Sequence, residues 1–252
     1  MGQVVIERHG AVVVFRLNRP PANAFDLEFA HELGAAIVPL MDASEVGALV
    51  ITGTGNYFSA GLDLKRVPRY GRQEQRAMVG AANGLLTKLY ACSIPVVAAV
   101  NGHAIAAGLI LALACDYRVG TTAPCKLGVT EVRVGIPFPA VAMAVLQNEV
   151  APHVARVMTL RGNNIDPQVA LERGLLDELQ PPERVLAAAM DIASDLAGMP
   201  REAYARIKQQ LRAKAIAFME ETVARGSDPA LESWITADAP TASAAHLHRR
   251  GA

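Results

Sequence analysis

The sequence predicts an α/β fold in which a largely parallel sheet is covered by helices on both faces. In the first half of the 252 residues, short runs of valine and isoleucine alternate with longer helical patterns. Parallel strands need such crossover helices, and strands buried on both faces are continuously apolar. The second half is mostly helical, and 52% of all residues are apolar, which is enough for a sizeable buried core. We therefore expect one α/β core followed by a helical C-terminal part.

The chain begins with a predicted strand pair and then alternates helices and strands. Val4 to Ile6 and Val12 to Phe15 are apolar runs separated by a charged turn, which is typical of paired strands. Asp26 is a suitable N-cap for the first helix because its carboxylate can accept backbone N–H groups. We predict strands at residues 3–8, 11–17, 46–52, 95–100, 116–119 and 125–127, and helices at 26–41, 73–91 and 107–114.

The rest of the chain contains mainly helix signals. Asp166 and Pro167 form an N-cap followed by a first-turn proline, and Gly174 suits the end of that short helix. The sequence shows no internal repeats. It also has no linker long enough to indicate two independent domains. Three further helices are predicted at residues 183–198, 201–225 and 239–249.

Composition argues against several classes of partner. The chain has 24 basic and 24 acidic side chains, so nothing in the totals indicates binding to nucleic acid or to an anionic membrane. Cys92, Cys115 and Cys125 lie in apolar runs without metal-ligand spacing, which favours reduced thiols over a metal site. The N-terminus lacks a signal-peptide pattern, and no apolar run has the length of a membrane span. We expect a cytoplasmic protein without a metal or redox cofactor.

Two turns that follow predicted strands are the most informative segments, at residues 58–64 and 101–110. In the first, Gly61 permits a tight turn that leaves the amide of Leu62 pointing outward. In the second, Ala107 begins a helix, and the first amides of a helix lack intrahelical partners. Two such amides can form an oxyanion hole. On spacing alone, ordinary strand-to-helix loops with small residues are the simpler interpretation.

The order of motifs along the chain favours the oxyanion hole over ordinary loops. In this order the sequence resembles the crotonase (enoyl-CoA hydratase/isomerase) superfamily. The resemblance covers roughly the first 180 residues and is carried by several motifs in sequence. These motifs are Phe58-Ser-Ala-Gly-Leu-Asp-Leu64, Asn101-Gly102, Ala112-Leu-Ala-Cys-Asp-Tyr-Arg118 and Glu131-Val-Arg-Val-Gly-Ile136.

The resemblance implies a CoA thioester ligand whose carbonyl oxygen is held by the backbone amides of Leu62 and Ala107. Such donors stabilise the enolate that forms when a proton leaves the neighbouring carbon. Because CoA is part of the substrate, no separate cofactor is implied. Further contacts with CoA or substrate are implied at Ala22, Ala24, Ala60, Asp63, Leu64, Gly108 and Ile110.

The acidic residues then distinguish among reactions. Relatives that add water to a double bond hold the water between two glutamates; Glu131 matches one of them, and Ile110 occupies the position of the other. An isoleucine cannot hydrogen-bond a water molecule. A single carboxylate beside an enolate can still remove a proton from one carbon and return it at another. The resemblance is therefore strongest to Δ3,Δ2-enoyl-CoA isomerases, with Glu131 as the proton shuttle.

Three alternatives stay open from the sequence. The protein could be an enoyl-CoA hydratase or another acyl-CoA lyase that uses water in a different arrangement. It could also be a non-catalytic acyl-CoA-binding homologue, because Ala106 and Ala107 stand where the family usually has glycine. Finally, Glu131 could be a solvated carboxylate or a partner of Arg133, since residues two apart in an extended segment share a face.

The resemblance also implies the organisation of the chain. We predict a crotonase-like ββα spiral core at residues 1–190 and a C-terminal helical region at 191–252 that covers the site and mediates trimerisation. Relatives form trimers or dimers of trimers, so a homotrimer or hexamer is expected. The expected ligand is an acyl-CoA thioester, without nucleic acid or membrane as a partner.

Overall fold

Two sheets form the core of the protein. The computed structural model describes residues 2–251, with side chains through residue 248. The strands are β1 (Val4–His9), β2 (Val12–Leu17), β3 (Ala48–Gly53), β4 (Tyr57–Ser59), β5 (Val96–Val100), β6 (His103–Ile105), β7 (Tyr117–Thr121), β8 (Leu127–Gly128) and β9 (Glu178–Gln180).

The larger sheet has six strands in the order β1-β2-β3-β5-β7-β9, and the smaller sheet has the order β4-β6-β8. All neighbouring strands are parallel except β1 and β2, which form an antiparallel pair. Each of β3, β5 and β7 is followed along the chain by a short strand of the smaller sheet. The turns between these strand pairs therefore lie side by side, which brings distant segments of the sequence together.

Helices surround both sheets. They are α1 (Leu27–Asp42), α2 (Arg72–Ala91), α3 (Ala107–Leu113), α4 (Glu131–Val134), α5 (Ala140–Glu149), α6 (Pro152–Arg161), α7 (Pro167–Glu172), α8 (Val185–Ala197), α9 (Arg201–Arg225) and α10 (Ala239–Gly251), with 3₁₀ turns at Val67–Arg69 and Pro229–Leu231. Among residues 2–251, no helix combines the length and the apolar character needed to span a membrane.

The predicted α/β class is confirmed, and each predicted strand and helix is present with ends that shift by at most two residues. The sheet is also covered on both faces. The main core packs on one face, while Val185 and Ala189 of α8 pack on the other, against Val50 and Val97. The predicted boundary at residue 190 falls inside α8.

Buried charges attach α9 to the larger sheet. One carboxylate oxygen of Asp116, just before β7, lies 2.8 Å from Nζ of Lys208, and the other lies 2.9 Å from Arg212. The same carboxylate accepts the backbone N–H of Val96. All three charged side chains are at most 9% exposed. Because an unpaired buried charge is costly, this cluster joins the C-terminal helices to the core.

Candidate active site

One apolar cavity of about 110 Å³ lies between the two turns, the first helices and the C-terminal segment. Its walls come from α1, α2 and α3, from the start of α4, and from residues beyond α9. Six of the residues predicted from the sequence line this cavity, namely Ala60, Leu62, Leu64, Ala107, Ile110 and Glu131.

Four other predicted contact residues lie outside the lining, namely Ala22, Ala24, Asp63 and Gly108. The carbonyl of Ala22 accepts the N–H of Ala60 at 2.9 Å, so the 22–24 loop flanks the first turn. The carboxylate of Asp63 accepts the N–H of Lys65 at 3.0 Å and lies 3.6 Å from Arg19. Contact of these four residues with CoA stays a prediction.

The first turn is fixed on both sides of Leu62. Gly61 has a φ of +81°, a left-handed conformation that glycine adopts without a steric penalty. Its carbonyl accepts the N–H of Phe25 at 2.7 Å, and the N–H of Asp63 donates to the carbonyl of Phe25 at 2.8 Å. The intervening N–H of Leu62 has no acceptor among residues 2–251.

The second turn is fixed through Ala106. Its N–H donates to the carbonyl of Gly128 at 2.7 Å, and its carbonyl accepts from Leu109 and Ile110 at 3.0 and 3.1 Å. The N–H of Ala107, at the first position of α3, has no acceptor in the part of the chain that the structure describes. The fold thus leaves one unpaired amide at each turn.

The backbones of the two turns touch. A methyl group added to Gly61 would lie 2.7 Å from the carbonyl oxygen of Ile105 and 3.1 Å from the nitrogen of Ala107. Likewise, a methyl group on Gly108 would lie 2.4 Å from the carbonyl oxygen of Ser59. Since Leu62 directly follows Gly61, this contact places the two unpaired amides on the same part of the cavity wall. Two such donors can stabilise a developing oxyanion.

Glu131 is the first residue of α4 and is only 8% exposed. Burial raises the pKa of its carboxyl group to about 8, although hydrogen bonds from its own amide and from that of Thr130 act in the opposite direction. Its Oε2 atom has no hydrogen-bond partner within the described residues. A buried carboxyl group with one unused oxygen, facing a cavity, is poised to exchange a proton with a ligand.

The interpretation of Glu131 as a partner of Arg133 in an extended segment is wrong. The segment is helical, and residues two apart on a helix do not face each other. Arg133 instead donates to the carbonyl oxygens of Gly162 and Arg161 at 2.6 and 2.7 Å. The carboxyl group of Glu131 is therefore not paired with Arg133, and Glu131 lines the cavity.

The raised pKa predicts that the contribution of Glu131 to stability falls as the pH increases from about 5 to about 8. Over this interval the folded protein keeps a proton on Glu131, whereas the unfolded chain, with an ordinary carboxyl pKa of 4.5, releases it. At this residue the folded state therefore binds more protons than the unfolded state, so Glu131 lowers the free energy of unfolding as the pH rises. Urea unfolding across this range should show a smaller decrease for Glu131→Gln than for the wild type. If the wild type and Glu131→Gln showed the same pH dependence of stability, the raised pKa of Glu131 would be contradicted.

The side of the cavity next to the second turn is apolar. Ile110 is 1% exposed and lines the cavity from α3, together with Leu111. Among the lining residues, the only side chains with polar atoms are Thr130, Glu131, Trp234 and His246. The cavity can hold an uncharged acyl chain, and Glu131 is its only acidic side chain.

Two lining residues from the C-terminal segment were not predicted from the sequence. Trp234 is 2% exposed, and its Nε1–H donates to the carbonyl of Pro137 at 2.8 Å. His246 reaches the cavity from α10. Asp228 anchors this segment, since its carboxylate accepts from Asn83 at 2.7 Å. No motif marked these residues, because the motifs that carry the family resemblance lie within roughly the first 180 residues.

The C-terminal segment also contacts the helix that carries Glu131. The hydroxyl of Thr236 donates to the carbonyl of Gly135 at 2.7 Å. One turn into α10, the hydroxyl of Ser243 lies 3.5 Å from the carbonyl oxygen of Val134. The segment therefore closes the cavity and supports α4 at the same time.

Known proteins are similar to this chain in sequence and in structure. The sequence model of the enoyl-CoA hydratase/isomerase family matches residues 7–239. The chain belongs to this family. A 2,3-dehydroadipyl-CoA hydratase of Escherichia coli is 32% identical to this family member over 218 residues, which are 84% of this chain and 82% of that protein.

Solved structures agree with the family assignment. An enoyl-CoA isomerase of Mycobacterium tuberculosis is 30% identical, with a TM-score of 0.81, and the match covers 88% of this chain and 98% of that one. Another structure of the same mycobacterial protein, with a TM-score of 0.83, describes it as a probable enoyl-CoA hydratase. Human mitochondrial Δ3-Δ2-enoyl-CoA isomerase has a TM-score of 0.90 and covers 99% of this chain and 98% of its own. At 24% identity, the human protein shows the fold alone. This member of the enoyl-CoA hydratase/isomerase family thus has the crotonase fold, with an acyl-CoA thioester as the substrate class that fits the family.

Proposed function

We propose that the protein converts a 3-enoyl-CoA into the conjugated 2-trans-enoyl-CoA, with Glu131 as the proton shuttle. The observation that carries this proposal is the content of the cavity: one buried acid faces apolar side chains, and Ile110 stands where a second acid would be needed to hold a water molecule. The arrangement favours a reaction that moves a proton within the substrate over one that adds water.

Two backbone amides are proposed to hold the thioester oxygen. The N–H groups of Leu62 and Ala107 lack protein acceptors and belong to turns whose backbones touch. Donors that are already fixed in place stabilise an enolate oxygen without reorganisation, and each is typically worth about 2.7–4 kcal/mol. Ala107 retains its amide although it carries a methyl group where the family usually has glycine.

The proton then moves in two steps. The ionised carboxylate of Glu131 removes a proton from C2, and the electron pair forms a dienolate whose oxygen is held by the two amides. The protonated Glu131 returns a proton to C4, which leaves the double bond between C2 and C3. With a pKa of about 8, the acid form of Glu131 predominates near neutral pH, and the carboxylate that removes the proton from C2 is a stronger base than that of an ordinary glutamate.

Hydration is the second candidate. The 2,3-dehydroadipyl-CoA hydratase of Escherichia coli, at 32% identity, carries a hydratase name. Water could reach Glu131 in an arrangement that does not use the position of Ile110. Such a site would form 3-hydroxyacyl-CoA from 2-enoyl-CoA.

Assays of the purified protein with 3-hexenoyl-CoA and 2-hexenoyl-CoA test the proposal, together with the Ile110→Glu variant. The wild type should interconvert the two esters and form little 3-hydroxyhexanoyl-CoA. Ile110→Glu adds a second acid that can hold water, so the ratio of hydration to isomerisation should rise by about tenfold or more. Ile110→Gln, which is similar in size and polar but cannot ionise, should raise this ratio much less.

Other results would favour a different function. Efficient hydration by the wild type would overturn the isomerase proposal in favour of the second candidate. Tight binding of acyl-CoA without either product would indicate a non-catalytic binding protein.

A further inference from the structure

Ala106 has a backbone conformation that alanine rarely adopts. Its φ and ψ are 54° and −126°, and only one other non-glycine residue among residues 2–251, Asn23, has a positive φ. Glycine would take this conformation without strain, because it has no Cβ to clash with the neighbouring backbone. A methyl group held at a strained position beside a ligand cavity points to a function for that methyl group.

The methyl group of Ala106 lies between the two turns. A methyl group added to Gly61 would lie only 2.7 Å from Cβ of Ala106, so that Cβ sits directly against Gly61. Ala106 also lines the cavity, as do Ala60, Leu62 and Ala107 on either side. This one methyl group therefore fills space between the two turns, at a residue that lines the cavity beside the two unpaired amides.

Because the methyl group of Ala106 lies between the two turns, we propose that it restricts the enzyme to acyl groups that carry no substituent at C2. The inference rests on the proposed function, which places the thioester oxygen between the amides of Leu62 and Ala107. The carbonyl carbon is then held at the two turns, and C2 is one bond away. An unsubstituted CH₂ at C2 fits beside small residues, whereas a methyl branch needs the space that Ala106 occupies.

Binding of two isomeric, saturated acyl-CoA thioesters tests the proposal without requiring turnover. Butanoyl-CoA and 2-methylpropanoyl-CoA have the same composition and differ in whether C2 carries a branch. Isothermal titration calorimetry should show that the wild type binds butanoyl-CoA about tenfold or more tightly, which is the usual discrimination for one methyl group. Ala106→Gly should reduce this preference to within about threefold and should also raise the thermal unfolding midpoint, because the strain is removed.

Ala82→Gly is the matched control. It removes one methyl group that lines the same cavity from α2, and it should keep the preference for butanoyl-CoA. Equal binding of both esters by the wild type would overturn the proposal while leaving the proposed function intact. An unchanged preference in Ala106→Gly, or an equal loss in Ala82→Gly, would overturn it as well. If the wild type binds neither ester, the proposed function fails together with this inference.

Discussion

Replacement of Glu131 by glutamine should reduce the rate of double-bond isomerisation by about 10²- to 10⁴-fold, the usual contribution of a positioned general base. Glutamine keeps the size of the side chain and one oxygen for the amides of Glu131 and Thr130, but it cannot accept a proton from C2. Because the thioester is held by other groups, the dissociation constant for butanoyl-CoA should change by less than about threefold. The rate should be measured under single-turnover conditions, so that product release does not hide the chemical step.

Glu178→Gln provides the control for this experiment. Glu178 lies on β9, outside the cavity lining, and the substitution makes the same chemical change. Its isomerisation rate should match that of the wild type. If Glu131→Gln retains most of its turnover, another group moves the proton, and the assignment of Glu131 fails.

Replacement of Gly61 by alanine should have the largest structural effect. The new methyl group would meet Cβ of Ala106 and the carbonyl oxygen of Ile105 at 2.7 Å, in a backbone with a φ of +81°. Conformational strain and overpacking together should lower the free energy of unfolding by about 2–4 kcal/mol. The clash also pushes apart the turns that carry Leu62 and Ala107, so the isomerisation rate should fall by about 10²-fold or more.

Gly55→Ala is the control that separates conformational strain from the clash between the turns. Gly55 also has a positive φ, of +68°, but nothing lies within 4 Å of a methyl group placed there. This variant should lose about 1 kcal/mol of stability from conformation alone and keep its activity. Urea unfolding at one protein concentration and the isomerisation assay measure both effects. Equal losses in the two variants would show that contact between the turns contributes little.

Local sequence signals predicted the secondary structure because each acts within a few residues. The carboxylates of Asp26 and Asp166 accept the N–H groups of Phe29 and Val169, each at 2.9 Å, as expected for N-caps. Strands of only two or three residues were harder to predict from the sequence. Residues 58–59 of β4 and all of β6 were predicted as parts of turns, and β9 was not predicted, because so short a segment shows no periodicity.

The candidate site was predictable only in part. Leu62, Ala107, Ile110 and Glu131 came from motifs, and the structure places all four around one cavity. Trp234 shares that cavity although it is about 100 residues from Glu131 in sequence, and no local pattern encodes a contact over that separation. The family resemblance implied that the C-terminal region covers the site, but the individual residues of that wall, Trp234 and His246, could therefore not be predicted.

By itself, the sequence determined the α/β class, the longer strands and most of the helices, the N-caps Asp26 and Asp166 and the family, since these depend on local preferences and on ordered motifs. The tertiary structure decided how Glu131 behaves. A helical backbone directs Glu131 away from Arg133, and burial without an ionic partner raises its pKa to about 8. The structure also decided that Ala106 lies against Gly61. Such contacts arise where two turns meet in space, so they depend on the packing of the whole chain.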